Sequence, residues 1–279
     1  MRIVLCCFMA AVLVLFSCQK KNSLAEGPAK TTIGLDSLTG DSASKDDSLT
    51  QAAPIPKAAD EYFNDFIYSF TTNIKYQFSR VTFPLPCIKY GKTSYLKQSQ
   101  WQFTKLHTRD AIYTVFFDKK SSLDLEKDKD IVDVKIEYFK MKQHQVRRYD
   151  FKKVAARWML VQIEDFALRD YKDYPFIEFY QKFASDTVFQ MNHVKSPLSI
   201  RVVEPDDEFE KMDGVLDAEQ WPSFRPELPV NEFTNIDYGQ SLKFRDRRIV
   251  AIEGNSNGFL SLLYFKKVHG QWLLCRFEN

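Results

Sequence analysis

The feature that most constrains this chain is an internal echo: Phe63-Asn64-Asp65-Phe66 lies on Phe176-Ile177-Glu178-Phe179 at an offset of 113 residues. The same offset carries Phe70 onto Phe183, Gln77 onto Gln190, Val81 onto Val194, and Pro84-Leu85 onto Pro197-Leu198. Further on, Gln100-Trp101 answers Gln220-Trp221, and Phe151-Lys152-Lys153-Val154 with Trp158 answers Phe265-Lys266-Lys267-Val268 with Trp272, after small insertions and deletions. Ordered self-similarity at a long period points to one unit used twice, over 59–168 and 169–279.

Within each unit the apolar positions set the elements. Phe63, Phe66, Ile67 and Phe70, and then Phe176, Phe179, Tyr180 and Phe183, recur at three- and four-residue steps, which is a helix with one aromatic face. Asp60 and Asp173 stand at the expected N-caps, and Pro175 suits a first helical turn. Val132, Val134, Ile136 and Tyr138 alternate with polar residues as in a strand with one buried face. The last hairpins should turn at Ala155-Ala156 and His269-Gly270, with Met159, Val161 and Ile163 on one face of a closing strand and Leu273, Cys275 and Phe277 on one face of the other. Helix first and antiparallel hairpins last is an α+β plan. This order resembles the nuclear transport factor two-like cone, in which a curved sheet wraps helices and leaves a cavity. The whole arrangement resembles tandem bacterial lipoproteins described as a domain of unknown function.

Residues 1–17 read as an export signal: Arg2, then an apolar run from Ile3 to Phe16. As a helix that run spans roughly 20 Å, short of the ~30 Å of a bilayer core. Leu15-Phe16-Ser17-Cys18 resembles a lipobox, which implies acylation of Cys18. From Gln19 to residue 58 no aromatic residue occurs, so 18–58 is expected to be an acylated Cys followed by a disordered tether. Gln19, Lys20 and Lys21 lean toward an outer-membrane protein facing the periplasm. The membrane, through that lipid, is one expected partner.

Lys and Arg total 39 against 37 Asp and Glu, which gives nucleic acid no electrostatic purchase. The four His form no metal motif, the mature part has no Cys-x-x-Cys, and no phosphate loop, dinucleotide fingerprint or nucleophile elbow occurs; neither metal nor cofactor is expected. The acidic run Glu204 to Asp213 reads as a solvated loop, and His107 with Arg109-Asp110 as a surface strand end. Arg147-Arg148 and Arg245 to Arg248 read as charged hairpin edges that discourage aggregation. Cys87 and Cys275 fall opposite Ile200 and Val161, so single buried thiols are preferred to a disulfide. Trp101 and Trp221 read foremost as core; the alternative is that they line a cavity or groove.

The reading that follows is a non-catalytic binding module whose cavities or groove take a small molecule, a glycan or another envelope protein. The alternative is an isomerase or dehydratase of the kind the cone resemblance implies, with a cavity carboxylate as general base. Glu137, Glu164 and Asp165 are the available acids.

Overall fold

In the computed structural model, which describes residues 59–204, 207–255 and 257–279, the two aromatic stripes become two helix faces. Helix α1 (Phe63–Thr72) buries Phe63, Phe66, Ile67 and Phe70, and is followed by α2 (Ile74–Ser79). Strands β1 (Leu85–Lys89), β2 (Lys92–Leu96), β3 (Ile112–Phe117), β4 (Asp133–Lys140), β5 (Gln145–Val154) and β6 (Arg157–Ala167) come next. The order then recurs with α3 (Tyr174–Ser185), α4 (Thr187–Asn192), β7 (Val194–Glu204), β8 (Asp207–Leu216), the short α5 (Trp221–Phe224), β9 (Glu232–Asp237), β10 (Arg247–Gly254), β11 (Leu260–Val268) and β12 (Gln271–Glu278). The signal segment, Cys18 and the tether lie outside the described residues.

Matching sequence positions make matching contacts. Asn73 and Asp186 cap α2 and α4 by accepting from the backbone N–H of Tyr76 and Phe189. Gln77 and Gln190 each donate to a carbonyl of the preceding helix, that of Phe70 and Phe183 respectively, at 2.8 Å. Trp158 packs edge-on against Phe63 at 5.1 Å, and Trp272 against Phe176 at 5.0 Å. Such edge-to-face pairs add about 0.5–1.5 kcal/mol each beyond the area they bury. The expected turns are present: Ala155 and Ala156 take φ of 48° and 61°, and His269 and Gly270 48° and 85°, the twist that two-residue hairpins favour.

The sheets are not divided as the halves are. One runs β2-β1-β6-β5-β4-β9 and the other β8-β7-β12-β11-β10-β3. The positions correspond throughout, but β3 and β9 have changed places, so each sheet takes its sixth strand from the other half. The two exchanged strands meet at Thr114 and Thr234, each of which bonds the other's backbone through its hydroxyl; Thr114 N donates to Thr234 Oγ1 at 2.8 Å, and Thr234 N to Thr114 Oγ1 at 3.2 Å. Asn235 Oδ1 accepts from Phe116 N at 2.8 Å beside them. Two sheet edges that would template aggregation are closed against each other in this way.

Each helix face is thus enclosed by its own sheet and by the back of the other. Val134, Ile136, Phe151, Trp158 and Leu160 cover α1 together with Val115, Phe117, Ile249 and Ala251 from the second sheet. Phe265, Leu263, Val250 and Trp272 cover α3 together with Phe139 and Val146 from the first. This corrects the expectation for β4: Val132 is exposed, while Glu137 and Phe139 on the opposite face are as buried as Val134 and Ile136, because β4 is a central strand with a core on each side.

Other expectations change for local reasons. A β-bulge makes the register skip Val161 and, in the equivalent strand, Cys275, since a bulge inserts one residue and switches the faces that follow. The buried sets are Trp158 with Leu160, and Trp272, Leu274 and Phe277, not those that strict alternation gives. The N-cap of α1 is Tyr62 and not Asp60, and Asp173 stands at the N-cap of α3 without accepting a capping bond; Asp60 accepts from Arg80 at 2.6 Å and from Trp158 N, and Asp173 accepts two bonds of 2.6 and 2.8 Å from Arg248. Arg248 is therefore buried at 5 % exposure and is no hairpin edge. The acidic run is not a free loop either: from Asp207 it forms β8, the outer strand paired with β7.

Candidate functional site

The first sheet presents its concave face to a cavity of about 740 Å³. Along β5, Phe151, Tyr149 and Arg147 alternate onto this face, and the register sets Arg147 between Tyr138 of β4 and Asp165 of β6. Tyr138, Tyr149, Arg147 and Lys140 line the cavity with Glu232 at the start of β9 and Phe103 to Leu106 and Asp110 of the connection before β3. Lys105, Asp110 and Glu232 are exposed at its rim.

At its floor Tyr138 is 8 % exposed and its hydroxyl has no hydrogen-bond partner. Its ring stands edge-on to Tyr149 at 5.9 Å. Burial pushes both phenols up, so at neutral pH they are uncharged donors. Arg147 forks onto the buried Asp165 with bonds of 2.7 and 2.8 Å, the planar bidentate geometry that fixes a guanidinium.

The second half supplies a built-in comparison. The register that pairs Tyr138 with Arg147 pairs Ile252 with Ser261, and Ile136 with Tyr149 corresponds to Val250 with Leu263. The Arg147–Asp165 pair becomes Ser261 Oγ donating to Asn279 at 3.0 Å. Ile252, Ser261 and Leu263 are fully buried, and Leu228 joins the same core. One concave face is sealed by aliphatic side chains, while the other keeps phenols and an ion pair around open space.

Trp101 and Trp221 are core residues and do not line the cavities described here. Trp101 is 8 % exposed, and its indole N–H donates to Gln77 Oε1 at 3.1 Å; Trp221 is fully buried and edge-on to Phe277 at 5.3 Å. Cys87 and Cys275 are free and half-buried, one in each sheet. The three acids separate: Asp165 is held by Arg147, Glu164 by Arg148, and Glu137 points to the opposite side of the sheet. There Glu137 Oε2 accepts from Asn235 Nδ2 at 2.9 Å and the Tyr171 hydroxyl at 3.1 Å. Burial raises its pKa against the opposing effect of those bonds. A smaller cavity of about 250 Å³ adjoins it, lined by Lys135, Arg148, Lys172 and Asp237 as well.

His107, expected at the surface, is 4 % exposed in the turn before β3, with its pKa pushed down to about 4 by burial and its Nδ1 unpartnered. It lines a cavity of about 420 Å³ with Tyr68, Tyr113 and Asn255. Among the described residues, no three His, Cys, Asp or Glu gather as a metal site, and no helix is long and apolar enough to cross a membrane. Sequence reasoning missed Tyr138, Tyr149 and Arg147 as a set. The signal was available in the repeat itself, as polar residues aligned with aliphatic counterparts.

A curved sheet, antiparallel here except for the parallel pairs β1–β6 and β7–β12, wrapped about an aromatic-faced helix is the cone of NTF2-like proteins. In agreement, the structure is similar to the crystal structure of an NTF2-like protein from Bacteroides fragilis, with a TM-score of 0.74 and 34% sequence identity over 81% of this chain and 98% of that one. The chain belongs to the family described as domain of unknown function DUF4348, whose model matches residues 42–279. No curated protein matches.

Proposed function

We propose that this chain is a membrane-tethered, extracytoplasmic binding module, and that its ligand sits without chemical conversion in the concave cavity of the first sheet. The observation that carries this reading is the contrast between the two halves. Ile252, Leu263 and Ser261 mark what the positions of Tyr138, Tyr149 and Arg147 hold when they only fill a core. The Tyr138 hydroxyl is itself enclosed, so the polar group that a ligand meets beside it is the half-buried Tyr149 with Arg147. A cavity of 740 Å³ is also in the size range of small-molecule sites, about 300–1,000 Å³.

The direct test is to fill the cavity with its own counterpart. The double variant Tyr138→Ile, Tyr149→Leu should fold and melt at or above the parent temperature while losing any stabilisation by compounds found in a metabolite screen. A variant that responds to those compounds as the parent does would place the ligand elsewhere. The tether rests on the signal-like run and Cys18: a Cys18→Ala chain should leave the membrane fraction, and one that stays there rules out lipid on that residue.

A second reading, a cavity enzyme of the isomerase or dehydratase type, is favoured by one observation, the buried Glu137 carboxyl bonded by the Tyr171 hydroxyl. That pair lies on the other face of β4, beside a cavity lined by paired charges. Both bonds converge on Oε2 and leave Oε1 for a substrate proton, but the adjoining cavity of about 250 Å³ is smaller than the usual small-molecule site of about 300–1,000 Å³. The binding reading is therefore preferred.

A further inference from the structure

We propose that the concave cavity of the first sheet takes a neutral, polyhydroxylated ring, that is, a saccharide unit. This rests on the reading of that cavity as the binding site and adds the class of ligand.

Charge decides first. The cations at the cavity are Lys105, Lys140 and Arg147, and the acids are Asp110 and Glu232 with Asp165 behind Arg147, three of each sign. The site as a whole offers neither an anion nor a cation a net Coulomb gain, and its rim charges are exposed and screened by salt. The one cation at the floor is committed. A ligand carboxylate that drew Arg147 away would leave Asp165, 3 % exposed, as an unpaired buried charge, which is among the costliest rearrangements available.

Hydrogen bonding decides next. The Tyr138 hydroxyl is enclosed and out of a ligand's reach, but a purely apolar ligand would cover the half-buried, cavity-lining Tyr149 and Thr104 and offer their hydroxyls no partner. Tyr149 and Thr104 offer hydroxyls and the rim offers carboxylates, so donors and acceptors stand around one space. Half-buried Tyr149 and Phe103 add aromatic surface. A pyranose presents an apolar C–H face to stack on a ring and hydroxyls that both donate and accept, which is the combination this lining can satisfy. The neighbouring cavity shares Lys105 and repeats the chemistry without any acid in its lining: Tyr68 at 57 % exposure, Thr72, Asn255 and a His107 kept neutral by burial. A second saccharide unit would find the same kind of partners there.

The experiment uses the full chain in a zwitterionic detergent, since glucoside and maltoside detergents would compete. Thermal shift and saturation-transfer NMR are run against neutral hexoses and N-acetylhexosamines with their linked oligomers, the matching uronic acids, and the matching amino sugars. At least one neutral saccharide should raise the midpoint by roughly 2–4 °C at saturating concentration. That shift should be the same in about 50 mM and about 0.5 M salt. It should fall in Tyr149→Phe, which keeps the ring and removes only the hydroxyl, and vanish in the Tyr138→Ile, Tyr149→Leu chain. If a uronic acid or amino sugar binds more than about tenfold tighter with strong salt dependence, and the double variant abolishes it, the cavity reading stands and the saccharide assignment falls. If binding survives in the double variant, both fall. If no sugar of any arm shifts the midpoint, the saccharide assignment is overturned, and the metabolite screen alone then decides the cavity.

Discussion

His107 shows how one buried side chain writes its environment into the stability of the fold. Its pKa of about 4 in the folded chain, against about 6.5 when unfolded, means that the unfolded state binds more protons between those values. Stability contributed by keeping this ring neutral is complete above pH 6.5 and is lost as pH falls toward 4, by up to about 3 kcal/mol. Denaturant titrations across that window should show a flatter pH dependence in His107→Gln than in the parent, and parallel curves would contradict the burial of this ring. Glu137 acts with the opposite sign: its raised pKa favours the protonated folded form, so its contribution weakens as pH climbs through and above the ordinary carboxyl range. The burial of neither residue was legible in sequence. Position 107 follows a stretch with no apolar period, and the partners of Glu137, Tyr171 and Asn235, come from distant segments.

At the scale of elements, the helices and the final hairpins could be read directly, because three- and four-residue spacing and two-residue turns are local signals. The bulges at Val161 and Cys275 could not: alternation assumes an unbroken period of two, and an inserted residue leaves no mark in composition. The concave cavity was hidden for the same reason, since placing Asp165 beside Arg147 requires the shifted register. The crossing of β3 and β9 is the element-level feature with the largest expected effect. Thr114→Val keeps the shape but leaves the Thr234 N–H and C=O without their hydroxyl partner in a buried site, a loss of about 2–4 kcal/mol. Thr114→Ser should retain most of it. Equal chemical-denaturation midpoints for the two variants would show that the hydroxyl contributes nothing there.

For the whole molecule, the exchanged strands make the halves interdependent. The described residues belong to one compact unit, and cutting after residue 168 would strip each sheet of its outer β3 or β9 strand. Chains 59–168 and 169–279 expressed apart should each fail to give a folded monomer, while co-expression should return a one-to-one complex. A half that melts cooperatively as a monomer would count against this. The repeat suggested two units from sequence but not their exchange, because pairing between halves leaves no local pattern. The shift of offset from 113 at Pro84-Leu85 to 120 at Gln100-Trp101 marks only that the β7–β8 hairpin is longer than the β1–β2 hairpin; the connections from Trp101 to β3 and from Trp221 to β9 are equal in length.

The exchange also imposes an order in time. Synthesis runs from the N-terminus, and β4 is complete at Lys140, yet the strand that covers its open flank ends at Asp237, 97 residues later. Until those residues have emerged on the side of the membrane where the chain folds, the first sheet stands with an adhesive border uncovered, so a shortage of holdase chaperones there should penalise the yield of this chain before it touches its equilibrium stability.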